Sequence, residues 1–343
     1  MPSLRASQRV AHSFVPASAR YGVAAGAVLF VAALAASVLV NRATAARAER
    51  KNPPRGKFIE VRGLRLHYIE QGQGEALVLL HGNSGMIEDF TSSGIVAKAA
   101  QKYRVIVFDR PGFGHSERPR GTIWTHEAQA DLFAEALSKM RVSHATILGH
   151  SWGASIAVAL GLRHRGMVSS LVLASGYYYP TPRSDVLVLM GPSLPVIGDI
   201  MSHTISPLLG RLMQPFFTRK MFRPAPIPHK FDRFPKEMAL RPSQIRACAA
   251  ETALMIPDAF VMQESYAELN MPVVIIAGAE DKIVDTEKQS VRLHHDVRNS
   301  TLRRIEGVGH MVHQTATDEV MAAIDEAAGA NLERLHPRSV AHA

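Results

Sequence analysis

Apolar residues fall into three kinds of run along this chain. The first is an uncharged stretch of 20 residues, Tyr21 to Val40. At 1.5 Å per residue a helix of that length crosses a hydrocarbon core of about 30 Å, so the stretch predicts one membrane span. Apolar regions of signal peptides are shorter, about 7 to 15 residues, although Ala43-Thr44-Ala45 has the look of a cleavage site. Gly22 and Gly26 form a GxxxG pair, a spacing too common in Ala/Gly-rich spans to imply a dimer.

The second kind begins at Phe58. F-I-E-V and L-R-L-H-Y-I flank Arg62-Gly63 and predict a hairpin over 58–69. Apolar or strand-like runs follow at 76–80, 104–108, 145–148, 170–174, 272–277 and 301–305, with helical stretches between them. Such alternation predicts an α/β fold with a mostly parallel sheet flanked by helices.

The third kind breaks that rhythm. Roughly 95 residues separate Ala174 from Pro272, where connections usually take only a few. Met190, Pro192, Pro195, Pro207, Met213, Phe216 and their neighbours make this insertion rich in Pro, Met, Leu and Phe. Short helices broken by proline fit that composition better than strands do. The expected organisation is a basic tail, span (21–40) and stiff linker over 1–57, a core over 58–175 and 268–330, a helical insertion over 176–267 and a tail over 331–343. Tyr177 to Tyr179 would pack at the entry to the insertion.

Charge changes the picture only after division by region. Residues 1–57 hold nine Lys or Arg and one acid, net +8, which accounts for most of the total of +9. The basic character belongs to the tail, which removes any case for nucleic-acid binding and sets cations beside anionic lipid headgroups instead. Three arginines precede the span and six bases follow within 41–57, so the positive-inside rule places the remaining domain in the cytoplasm. Cys248 is alone, which excludes an intrachain disulfide. His294-His295 lacks metal-ligand spacing and reads as surface.

Candidate chemistry lies at the ends of the predicted strands. Gly149-His150-Ser151-Trp152-Gly153 joins an apolar strand to an Ala-rich helical run, a context that can lift Ser151 out as a nucleophile on a strained turn. His81-Gly82-Asn83-Ser84-Gly85 follows the run at 76–80 and is a small-residue loop able to aim an amide at an oxyanion. Gly278-Ala279-Glu280-Asp281 sets a carboxylate just past a strand, with Glu280 and Asp285 as rivals to Asp281. Gly307-Val308-Gly309-His310 carries a histidine, with His313 as its rival. Active sites of open parallel sheets gather at the carboxyl ends of the strands.

The order Ser, Asp, His resembles that of the α/β-hydrolase superfamily. The likeness covers about residues 58–325 and includes Asp109-Arg110-Pro111-Gly112-Phe113-Gly114-His115-Ser116, similar to the family's D-x-x-G-x-G-x-S loop. The resemblance implies Ser151 as nucleophile, His310 as base, Asp281 as acid and the amides of Asn83 and Trp152 as the oxyanion hole. It also makes the insertion a cap over Ser151, closing an apolar acyl pocket. Asp109 and His81 are expected to shape their loops rather than react.

Trp152 and Asn83 further resemble the halide-holding pair of haloalkane dehalogenases. Those enzymes attack an sp³ carbon with an aspartate, and the resulting ester is then hydrolysed. Serine attacking the same carbon would leave an ether, so Ser151 points to attack on a carbonyl. The expectation is a single-pass membrane serine hydrolase acting on carboxylic esters or related, apolar acyl substrates, with no cofactor and no metal. Carbon-carbon bond hydrolysis and cofactor-free perhydrolysis use the same triad. A catalytically silent binding protein would require a broken triad, whereas all three residues are present.

Overall fold

The computed structural model describes residues 17–183, 186 and 189–335. Eight strands form one sheet in the order β1-β2-β4-β3-β5-β6-β7-β8. They are β1 (Lys57–Val61), β2 (Leu64–Gln71), β3 (Ala76–Leu80), β4 (Arg104–Phe108), β5 (Ala145–His150), β6 (Val168–Ala174), β7 (Val273–Gly278) and β8 (Ser300–Ile305). The β1-β2 hairpin and the β2-β4 pair are antiparallel, and every other pair is parallel. Both β3 and β5 are buried along their whole length, because helices cover the two faces of the sheet. On one face lie α4 (His126–Lys139) and α5 (Trp152–Arg163). On the other lie α2 (Ile87–Ser93), α3 (Ile95–Ala99) and α10 (Thr317–Leu335). Strand β8, which carries Arg303 and Arg304, is only partly buried and lies at the edge of the sheet.

Between β6 and β7 the chain builds α6 (Ile197–His203), α7 (Ile205–Phe222), α8 (Lys236–Ala239) and α9 (Pro242–Met262). Proline does not cut α7 and α9 short, contrary to the sequence expectation: Pro215 and Pro257 lie inside continuous helices. Each removes the N–H that would reach the carbonyl four residues back, a local cost of about 3 kcal/mol. Packing offsets it, as α9 buries Ala247, Ala249, Glu251 and Met262 against the rest of the protein.

The amino-terminal helix α1 (Ala17–Lys51) is longer than the predicted span. Its described part carries an apolar window of mean hydropathy 1.8, long and apolar enough to cross a membrane, with Leu29 and Val31 exposed. Where the apolar stretch ends, the helix docks on the insertion. Asn41 is buried and donates Nδ2 to the carbonyls of His203 and Thr204 at 3.0 and 2.8 Å, satisfying backbone acceptors at the end of α6. Ser37 Oγ donates to the same Thr204 carbonyl, Arg211 donates to Asn41 Oδ1, and Arg241 pairs with Glu49 at 2.8 Å. Ala48 is buried with Met86, Phe222, Phe231, Phe234 and Met311.

The segment after α1 is not a free spacer. Asn52 caps the helix through its backbone and side-chain bonds to the Ala48 carbonyl, and its own carbonyl accepts from His115 Nε2 at 2.9 Å. Replacing Asn41 by Ala removes its bond to the His203 carbonyl, at a cost of about 1–3 kcal/mol, and leaves the Thr204 carbonyl with only the Ser37 bond on this side. We expect Asn41→Ala to lower the thermal midpoint of the detergent-solubilised full chain by several degrees, read by circular dichroism, with Ser37→Ala having a smaller effect.

Candidate active site

Ser151 sits between β5 and α5 with φ 53° and ψ −119°, a region that costs a non-glycine residue about 1–3 kcal/mol. Close packing holds it there. A Cβ on Gly153 would lie 2.0 Å from the Leu80 carbonyl oxygen, and one on Gly149 would lie 2.2 Å from the Gly153 carbonyl oxygen. The two glycines are therefore required by the approach of β3 and of the helix to the turn, and no larger residue fits at either position. Ser151 N–H donates to the Ala174 carbonyl at 2.8 Å, which ties the turn to the end of β6.

His310 and Asp281 come together from the loops after β8 and β7. His310 Nδ1 donates to Asp281 Oδ2 at 2.7 Å, and both side chains are buried. The other carboxylate oxygen, Oδ1, accepts the N–H groups of Ile283 and Val284 at 2.7 and 3.0 Å. That pattern fixes the tautomer of His310 and leaves Nε2 as the base-competent nitrogen. Ser151 is half-buried, and its Oγ makes no hydrogen bond among the described residues. Such bonds tighten in complexes with substrate.

The rival residues have other duties. Asp285 accepts the N–H of Lys288 through Oδ1, as the turn after β7 begins its helical stretch. His313 Nε2 donates to buried Asp89 Oδ1 at 3.0 Å. His81 donates Nδ1 to the Gly82 carbonyl and accepts the Arg110 N–H on Nε2, and burial lowers its pKa to about 3, which keeps it neutral and structural. Asp109 accepts the N–H groups of Ile87 and His115 together with His67 Nδ1. His294 is half-buried against Ser300 and His295 is exposed.

Trp152 is the first residue of α5, so its N–H has no partner within the helix and is free to face an oxyanion. Asn83 lies in the facing loop, where a Cβ on neighbouring Gly82 would come 3.0 Å from Ser151 Cβ. The side chain of Asn83 is committed elsewhere: Nδ2 donates to the Cys248 carbonyl and to Thr252 Oγ1, at 3.2 and 3.1 Å, both on α9. The indole of Trp152 packs on the His126 ring with centroids 4.1 Å apart. Its Nε1 is buried without a hydrogen-bond partner.

Several supporting residues carried no signal in the sequence. Arg110 is fully buried; it donates Nε to the His81 carbonyl at 2.7 Å and Nη2 to the Gly82 carbonyl at 3.0 Å, then pairs with buried Glu251 of α9 at 2.9 Å. Gln129 completes the group. One guanidinium thus clamps the loop of Asn83 to the cap. His150 Nε2 donates to the His310 carbonyl at 3.0 Å, and the His310 N–H donates to the Met221 carbonyl at the end of α7. Asp89, His150 and His313 bring donor atoms within 4.8 Å of one another, the set among the described residues that could hold a metal ion. The direct Asp89-His313 bond already uses two of those donors. The Arg110 position lay inside a recognisable motif, but nothing in the sequence paired it with Glu251, 141 residues away.

The α/β-hydrolase fold family matches residues 75–317, and the chain belongs to that family of hydrolases. The uncharacterized hydrolase YugF of Bacillus subtilis (strain 168) is 27% identical over 250 residues, 72% of this chain and 86% of that one. Haloalkane dehalogenase 2 of Mycobacterium tuberculosis (strain ATCC 25618 / H37Rv) is 24% identical over 278 residues, 77% of this chain and 92% of its own. Among solved structures, a membrane phospholipase A described as a bacterial virulence factor shares the fold with a TM-score of 0.63 at 20% identity, covering 91% of this chain and 97% of its own.

Two outcomes follow for the buried charges. Glu251→Ala strands Arg110 without a counter-ion, and breaking a buried pair from one side costs about 3–5 kcal/mol; we expect a lower denaturation midpoint and a loss of turnover, with Glu251→Gln intermediate in both. Asp258 lies at the contact of α9 with the start of α4, where burial raises its pKa to about 7. Unfolded, it titrates near 3.9, so between about pH 4 and 7 the native state holds a proton that the unfolded state has lost, and stability falls as pH rises. Asp258→Asn should therefore gain on the parent from pH 5 to pH 8, measured as paired thermal midpoints.

Proposed function

We propose that this protein is a membrane-anchored serine hydrolase that cleaves carboxylic esters or related acyl substrates through an acyl-enzyme. The observation that carries the reading is the pairing of His310 with Asp281 at 2.7 Å at the same sheet edge as the strained turn that presents Ser151. In the cycle, His310 Nε2 takes the Ser151 proton as Oγ attacks the carbonyl carbon, and the amides of Asn83 and Trp152 hold the oxyanion. The protonated imidazole then gives its proton to the leaving group. Water attacks the acyl-enzyme with His310 again as base, and Ser151 regains its proton. Asp281 orients the imidazole and stabilises its cationic form.

Dehalogenation fits this site poorly. Its first step needs a carboxylate nucleophile, and the Asn83 amide that would face a halide is already bonded to α9. A membrane-borne, apolar acyl group agrees with the apolar amino-terminal helix and with the apolar composition of the cap. The likeness to a membrane phospholipase A extends over more of the chain than the family match does, which supports the same choice. The positive-inside bias of the tail supports a cytoplasmic face for the catalytic domain.

Ser151→Ala is expected to abolish turnover of a p-nitrophenyl ester and labelling by a fluorophosphonate while the circular dichroism spectrum is kept. Asp281→Asn should lower kcat on the order of 10⁴-fold through the wrong tautomer. Full activity in Ser151→Ala, or an unlabelled parent enzyme, would reject the assignment.

A further inference from the structure

The cap carries an apolar stripe that nothing among the described residues covers. On α7, Ile205, Leu208, Leu209, Leu212 and Phe216 are all exposed, Leu212 at 74% and Phe216 at 61%. Their spacing of three and four residues places them along one side of the helix, over about 17 Å at 1.5 Å per residue. Val196, Ile197 and Ile200 extend the patch onto α6 and the residue before it. A soluble surface rarely exposes a contiguous apolar area of this kind without a partner.

What covers it follows from where it begins. Ile205 immediately follows Thr204, whose carbonyl accepts from Ser37 Oγ and Asn41 Nδ2 of α1. The membrane-spanning part of α1 ends in exposed Leu39 and Val40 at that same junction. A lipid surface that meets α1 at Leu39 and Val40 would therefore also meet the first turn of α7. Basic groups accompany the stripe on both helices, with Arg42 and Arg50 exposed after the span and Arg219 and Lys220 exposed near the end of α7. An apolar face flanked by cations is the pattern of a helix lying in a bilayer interface, with its apolar side about 5–10 Å deep.

We propose that α6 and α7 of the cap lie on the phospholipid bilayer that α1 spans, so that the cap is itself a membrane-binding surface and the substrate enters from the lipid. The proposal deepens the hydrolase reading, since the last turn of α7 holds Met221, whose carbonyl accepts the N–H of His310 at 2.9 Å. The bilayer-seated helix thus runs from the anchor to the candidate base. The substrate class is an ester dissolved in the membrane, with its acyl chains held in the hydrocarbon and its carbonyl near the interface.

The test uses the full chain reconstituted into phosphatidylcholine and phosphatidylglycerol vesicles. Its two tryptophans, Trp124 and Trp152, are buried and give a constant background. Leu212→Trp should be quenched at least twofold by lipids brominated in the acyl chain. Arg165→Trp, on the exposed turn before β6 at the opposite edge of the sheet, should not respond. Equal responses of the two would overturn the proposal. A blue-shifted but unquenched Leu212→Trp would overturn it in favour of a second copy of the chain on the stripe.

In a second arm, Leu209→Asp combined with Leu212→Asp should reduce hydrolysis of a vesicle-embedded ester at least tenfold and leave a water-soluble short-chain ester unaffected. Equal loss on both substrates, or on neither, would count against docking. Quenching with no turnover in the parent would instead refute the hydrolase reading and leave the docking surface intact.

Discussion

The approach of three backbone segments to within contact distance at residues 149–153 is the constraint on which the site depends. Gly153 lies directly against the Leu80 carbonyl and Gly149 against Gly153, so β3, β5 and α5 meet with no side chain between them. That contact holds Ser151 at a positive φ, and it brings the Gly82-Asn83 loop beside Ser151 Cβ. Strain at one residue and proximity of the facing loop are therefore the same fact seen from two sides. The bond from Ser151 N–H to the Ala174 carbonyl extends the arrangement to the strand that leads into the cap.

The core was readable because its signals are local. Apolar runs such as 76–80 and 145–148 became strands buried on both faces, and glycine marked the turns that follow them. Asp281 and His310 stood out by their places after strands. What the sequence concealed depends on contacts between distant segments. Arg110 and Glu251 are each unremarkable, and only the fold shows that one guanidinium joins the His81 and Gly82 carbonyls to α9. Prolines 215 and 257 misled for the same reason, since a local rule says they end helices while burial of the surrounding faces keeps the helices whole.

Residues 41–51, just before the linker expected at 52–56, hold contacts that composition does not show. A run of bases and alanines reads as tail, because composition cannot reveal that Asn41 meets carbonyls at the end of α6. Hydrophobicity marks where lipid replaces water, but it does not mark where a helix leaves lipid to become part of a folded domain. Here exposure gives way to burial within one turn, between Val40 and Asn41.

The cap and the candidate base are consequently parts of one mechanical unit. His310 is held through its carbonyl by His150, through its N–H by Met221, and through Nδ1 by Asp281. Two of these restraints come from the core and one from the end of α7. A displacement of α7 along its axis would act on the His310 backbone before it reached Asp281, whose carboxylate is fixed by the amides of Ile283 and Val284. The imidazole would then pivot about a stationary partner. Seating α7 on a surface without shifting it along its axis leaves the His310-Asp281 pair unchanged, so the exposed stripe of α7 and its contact with the loop of His310 are separable features of one helix.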